Sequence, residues 1–351
     1  MAPPTAGDDT SGPGGDDSPS PDGEAPSEVA AALDEADDAL VDAVEDALVD
    51  RSGVVAVGVP LALLPPILAA GERTEDDAPW RVACLPGVVD TLGRAFVLGT
   101  AVAEAVAAGA IELRTGSALE TGGDGTDADR VLFASSDRVD AVAGPAGDRT
   151  LVTEEAPERV PPAARAVRER FAAATPATVD MPARSRLLAA ASETLDDRFA
   201  DDVAAVLDAL PYGAVGRTGE ITDRTLLLAL AARHDHLLWD LRRWIGGEAD
   251  GESGELNDCV AIAAGQDLTD ERRALVRRGL IEAIKVPAGD GRPRLRLRAV
   301  DDALLRATPE EVLSVLRGRF SLPVDADGKL REPPGSNGRR PVWERARRDK
   351  N

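Results

Sequence analysis

The sequence predicts two folded units in series: an α/β domain with a mixed sheet and helices packed on it, then a mostly helical winged helix-turn-helix domain, with disordered termini. Three observations carry this. Short apolar strands alternate with helical segments from Val54 to Thr115, and further strands then follow without helices between them. From Arg184 to Ile245 the apolar spacing is helical on both sides of a Gly-rich loop that follows Pro211. A basic stretch, DLTDERRALVRRGLIEAIKVPAGDGRPRLRLR at Asp267 to Arg298, then joins a helix directly to a hairpin.

Residues 1–27 are rich in Gly, Pro, Ser and Asp, hold no basic residue, and cannot bury enough surface to offset ordering entropy; an acidic disordered tail is expected. The first domain is placed at 28–177. Between Ser27 and Val49 the apolar residues are spaced as one amphipathic helix. VVAVGV at Val54 to Val59 reads as a buried strand, LALLPPILAAG as a Pro-interrupted helix, and WRVACLP from Trp80 as a second strand. A helix closed by Gly109 and the strand IELRT at Ile111 to Thr115 follow. Beyond a Gly/Asp turn at 121–129, RVLFAS, VDAVAG and RTLVTE are strands expected to pair antiparallel, and a helix at Glu158 to Ala174 closes the domain.

A connector from Thr178 opens the second unit, placed at 178–320. RSRLLAAASETLDDRF and ADDVAAVLDAL read as two amphipathic helices ending at Pro211. Helices are expected at Glu220 to Ala232, with Thr222 and Asp223 as caps, and at His236 to Ile245, stopped by Gly246-Gly247. Trp239 and Trp244 are expected in the core, and His234 and His236 on different faces of a helix. An acidic insertion at 246–266 separates that helix from the basic one. In the basic helix Asp267 or Thr269 is the cap and Gly279 the residue that ends it. The AGDG run at Ala288 to Gly291 supplies a hairpin turn, after which Leu295 and Leu297 point to one face and Arg294, Arg296 and Arg298 to the other. DDALLRATPEEVLSVLRGRF is a terminal helix pair, and 321–351 a flexible basic tail.

Composition narrows the setting. The 351 residues carry a formal net charge of -23, with 63 acidic and 40 basic residues and few aromatics, the balance of a protein kept soluble in concentrated salt. A halophilic archaeal cytoplasm is expected. Global acidity would oppose a nucleic-acid partner in dilute buffer, but the Debye length falls to about 3 Å at 1 M salt, so only the local patch counts. The apolar run from Gly53 to Ala70 is broken by Pro60, Pro65 and Pro66 and has no basic region before it, so neither a signal peptide nor a membrane span is expected. Cys84 and Cys259 show no metal or disulfide spacing.

Chemistry-bearing motifs are few. Ligands of α/β sheets usually sit at the strand-to-helix loops, which makes Gly58 to Leu61 and Leu85 to Asp90 candidate pocket walls, although their glycines read first as ordinary turn residues. No GxGxxG, P-loop or GxSxG occurs, and the Asp124 to Asp129 turn lacks EF-hand spacing. No enzyme, cofactor or metal is expected; the first domain is expected to sense a small metabolite or to form a homodimer. The segments LLLALAARHDHLLWDLRRW and RRGLIEAIKVPAGDGRPRLRLR, with ADDVAAVLDAL upstream, resemble the haloarchaeal transcriptional regulator TbsP family over roughly Glu28 to Ala307. The resemblance implies a sequence-specific regulator of double-stranded DNA, linked to central sugar metabolism. It places Arg272, Arg273, Arg277 and Arg278 on the recognition helix and Arg292, Arg294, Arg296 and Arg298 in the wing; Lys285, from the same basic stretch, is a further candidate for DNA contact. The alternative is an adaptor whose winged helix binds protein instead of DNA.

Overall fold

The computed structural model describes residues 28–34, 36–74, 78–116, 131–144, 148–216, 219–246, 268–287 and 293–323. The acidic tail, the 121–129 turn, the insertion beyond Gly246, the AGDG turn, Cys259, Asp267, Arg292 and the basic tail from residue 324 lie outside them.

The expected first helix is two, α1 (Glu28–Leu33) and α2 (Asp38–Leu48), because Asp37 turns out of helical geometry and accepts the Ala39 N–H at its side chain. Strand β1 (Val55–Val59) leads through a 3-10 turn to α3 (Leu64–Glu72). Pro65 and Pro66 do not interrupt that helix; they begin it, where their missing N–H groups would have had no partner anyway. Strand β2 (Trp80–Cys84) precedes α4 (Val88–Leu92) and α5 (Phe96–Ala107), again two helices where one was expected. Strands β3 (Ile111–Thr115), β4 (Leu132–Ala134), β5 (Val139–Ala143) and β6 (Thr150–Glu154), then α6 (Val160–Ala173) and the two-residue β7 (Thr175–Pro176), complete the unit.

The sheet order is β6-β5-β4-β1-β2-β3-β7, with β1, β2 and β3 parallel and every other pairing antiparallel. β1 is central and buried on both faces. Val55 and Val57 pack under α6 with Phe171, whereas Val54, Ala56 and Val59 join Ile67, Leu98 and Val102 on the other side. Cys84 lies in this core, and burial pushes its thiol up to about 12, so it stays protonated and unreactive at neutral pH.

The second unit begins with α7 (Arg184–Thr194) and α8 (Asp197–Ala209). Their boundary lies at Asp196, four residues before the expected one, because the Asp196 carboxylate caps the Phe199 N–H at 2.8 Å. Helix α9 (Asp223–Arg233) starts from a capping box of Thr222 and Thr225 and is buried along nearly its whole length. Around it pack α10 (Leu238–Gly246), α11 (Thr269–Arg277), the hairpin β8 (Ile281–Val286) and β9 (Arg294–Ala299), α12 (Asp302–Arg306) and α13 (Val312–Phe320). The core continues into the first domain, since Phe96 and Val97 of α5 are buried with Met181 and Leu187. No described helix is long and apolar enough to cross a membrane.

Candidate nucleic-acid interface

Three helices and a hairpin compose a winged helix-turn-helix: α9 is the buried first helix, α10 the second, α11 the third, and β8–β9 the wing. The turn between α9 and α10 is built by His234, Asp235 and His236. Asp235 adopts φ +60, the left-handed region in which Asp is tolerated, and so reverses the chain. Both histidines therefore sit in this turn and not on a helix. His234 Nε2 lies 2.9 Å from Asp202 and His236 Nε2 3.5 Å from Asp196. Burial holds the His236 pKa below its ordinary value, against the opposing pull of Asp196. The chain then makes a bridge from Leu237 to Arg296, and the Leu297 N–H donates to the His236 carbonyl at 2.8 Å, so the turn is stitched to the wing.

Helix α11 begins at Thr269 from Leu268, which has no side chain to cap with; Thr269 is the first helical residue and not the cap. Its end follows the expectation closely. Gly279 has φ +68, its N–H donates to Val276, and the Leu280 N–H reaches back to Leu275, which is a Schellman closure that a residue with a Cβ would strain. Leu275 is buried, and Arg273 and Arg277 project outward. Arg272 and Arg277 make no ion pair or hydrogen bond through their side chains among the described residues, and Arg273 meets only the exposed Asp270 at 3.5 Å. Such an exposed pair contributes about 0–1 kcal/mol and does not commit the guanidinium.

Arg278 is placed differently. Its side chain is 10% exposed, ion-paired to Glu220, with its guanidinium 4.1 Å from the Phe320 ring centre, so it ties α11 to α13 and is not presented outward.

In the wing, Ile281 pairs with Ala299, Ala283 with Leu297 and Lys285 with Leu295, which puts these six on one face. Glu282, Ile284 and Val286 share the other face with Arg298, Arg296 and Arg294. Leu297 is fully buried and anchors the hairpin, while the three arginines are exposed. Lys285 thus falls on the leucine side, near the wing tip. Arg298 is held by Asp235 at 2.9 Å and Glu282 at 3.7 Å, and these carboxylates raise its pKa further. Arg296 has no side-chain partner among the described residues. Arg294 has no acidic partner there either, but lies 5.4 Å from the ring centre of Trp239.

Trp239 corrects the expectation that both tryptophans of α10 enter the core. Trp244 does, at 2% exposure, with its indole N–H donating to the Leu187 carbonyl at 3.2 Å and its ring edge-on to Phe199. Trp239 is 46% exposed and lines a depression with Arg242, Pro293 and Arg294. Arg242 and Trp239, three residues apart, share an outward face of α10 and were not anticipated as site residues; the WDLRRW spacing carried the signal.

The N-terminal residues 28–182 match the family model described as transcriptional regulator TbsP-like, N-terminal, and residues 183–317 match transcriptional regulator TbsP-like, C-terminal HTH domain. No curated protein and no solved structure matches the chain. With both models matched end to end, the chain belongs to the TbsP-like transcriptional regulators.

Proposed function

We propose that this TbsP-like regulator binds double-stranded DNA sequence-specifically, α11 lying in a major groove and the wing along the neighbouring backbone. What supports the reading most is one arrangement: Arg272, Arg277, Arg294 and Arg296 stand on the third helix and the wing with no acidic partner among the described residues, in a chain of net charge -23. In a chain so acidic, cations left unneutralised on this scaffold have a use for a polyanion. Arg272 and Arg273 open the helix that faces base edges; Arg277 follows one turn on. Arg294, Arg296 and Arg242 reach phosphates, with the exposed Trp239 packed under Arg294 as a support that fixes its position. Control of central sugar metabolism follows from the family resemblance alone. A homodimer would read a two-fold operator with half-sites about one helical turn apart.

Selection of bound sequences from a randomised duplex pool, in molar potassium chloride, tests the proposal. Enrichment of a defined motif is expected, and Arg272→Ala or Arg273→Ala should relax preference at one position while lowering affinity by about 1–3 kcal/mol. A second reading, a regulator whose winged helix binds protein, draws on the internal pairing of Arg278 and Arg298. It takes over if no motif is enriched from the pool by the intact chain.

A further inference from the structure

A cavity of about 270 Å³ opens between α3, α5 and the start of α7, at the N-terminal ends of β2 and β3. This is the end of the sheet opposite the candidate loops Gly58 to Leu61 and Leu85 to Asp90. At those loops Val89 and Asp90 line only a polar cleft with Gly93, Arg94, Thr178 and Asp180. The cavity is different in kind. Its floor is apolar, made by Ile67, Trp80, Ala101 and Ile111, and its mouth carries Glu72, Glu104 and Arg184.

The charges at the mouth are incompletely used. Glu72 has no hydrogen bond or ion pair among the described residues. Glu104 spends one oxygen, Oε2, on the Ser185 N–H and hydroxyl, both at 2.8 Å, and its Oε1 has no hydrogen bond or ion pair among the described residues. Arg184 is only one-quarter exposed yet held loosely, 3.5 Å from Asp208 and 3.5 Å from the Val97 carbonyl. The Trp80 ring is buried, but its indole N–H has no acceptor among the described residues. Tyr212 lies within reach of the same groups: desolvation and then Glu72 raise its pKa, and Arg184 opposes them.

We propose that this cavity is the binding site of a small α-amino acid with an apolar side chain. A lone carboxylate or a lone amine would leave half of the mouth unanswered; a zwitterion satisfies both signs at once. Its ammonium meets Glu72 and the second oxygen of Glu104. Its carboxylate meets Arg184, with the N-terminus of α7 behind it, and its side chain covers the apolar floor. The volume, just below the range of about 300–1,000 Å³ common for ligand sites, suits a leucine-sized molecule and excludes a nucleotide. Because Arg184 and Ser185 begin the first helix of the second domain while Glu72 and Glu104 belong to the first, the ligand bridges the two and stiffens their seam. The site stands whether or not the second domain binds DNA.

The full chain is titrated with L-leucine, with 3-methylbutylamine, which lacks the carboxylate, and with 4-methylpentanoate, which lacks the amine, and Tm is followed. Leucine at saturation should raise Tm by about 2–5 °C and the two analogues by little. Glu72→Gln, at an exposed position, leaves Glu104 alone to answer the ammonium, so it should narrow the gap between leucine and 4-methylpentanoate without closing it. Ala101→Phe, which fills the floor, should remove the response; if that variant does not fold, the Glu72→Gln comparison decides. No shift with any of the three ligands, equal shifts in the native chain, or an unchanged preference in Glu72→Gln each overturns the proposal.

Discussion

The wing offers the sharpest quantitative prediction, because its three arginines differ only in their partners. Each phosphate contact adds roughly 0.9 to the slope of log affinity against log salt. Arg294 and Arg296 have no acidic partner among the described residues, so losing both in an Arg294→Ala/Arg296→Ala variant should flatten the slope by about 1.8. Over a tenfold rise in potassium chloride the native chain should then lose about 60-fold more affinity than the double variant. Arg298 starts from a different state, clamped by Asp235 at 2.9 Å and Glu282 at 3.7 Å. Its removal alone should change the slope by less than one contact. Asp235→Asn removes the closer of the two carboxylates, leaving Glu282, without disturbing the φ +60 turn, since Asn tolerates that conformation, and should steepen the slope by less than about 0.9. Fluorescence anisotropy of a labelled duplex across the salt series reads all of these. A slope that the double variant leaves unchanged would refute the wing–phosphate contact, and a slope that Asp235→Asn leaves unchanged would refute the clamp.

Other outcomes follow from the packing. Trp244→Phe removes the indole bond to the Leu187 carbonyl, which keeps its partner within α7, and should destabilise the chain by about 0.5–1.5 kcal/mol through that bond in urea denaturation, with Trp239→Phe close to neutral. At Gly99 an added Cβ would lie 2.2 Å from the Leu92 carbonyl oxygen, a backbone atom that cannot step aside. Gly99→Ala should therefore lower Tm well beyond Gly279→Ala, where the Cβ meets nothing and only the φ +68 strain of about 1–2 kcal/mol applies. His236 is held neutral by burial, so its contribution is present in full above the ordinary histidine value and is lost as pH falls below it, where the unfolded chain takes up the proton first. Tm measured from pH 8 to 5 should fall toward acid, and His236→Gln should lessen the fall.

Much of the fold was legible because its signals are local. Period-2 alternation set the arginine and leucine faces of β9, and Gly279 marked the end of α11 where a left-handed residue was needed. Segmentation was less legible. One helix was expected where α1 and α2 stand, and one where α4 and α5 stand, because apolar spacing continues across a break that is decided elsewhere. Asp37 caps one break, and Gly99, pressed against Leu92, fixes the other. The same limit explains β7, whose two residues are strand only because β3 offers them an edge.

The site was legible as residue types and not as availability. A run of arginines states where positive charge is, but whether each is free depends on carboxylates far away in sequence. Glu220 is 58 residues from Arg278, and Asp235 is 63 from Arg298. Both carboxylates border α9, the buried helix on which α11 and the wing rest, so the element that positions the basic surface also neutralises its edges. Arg272, Arg277, Arg294 and Arg296 lie beyond their reach. If such trimming sets specificity, restoring charge at an edge should cost discrimination even as it adds affinity. Glu220→Gln leaves the partly buried Arg278 against Phe320 and should mainly lower stability, whereas Asp235→Asn leaves an exposed Arg298 held by Glu282 alone and should raise binding to unrelated duplexes more than to the selected one. Competition of the two duplexes against each variant separates these outcomes, and an equal gain on both duplexes from Asp235→Asn would show that the trimming does not contribute to specificity.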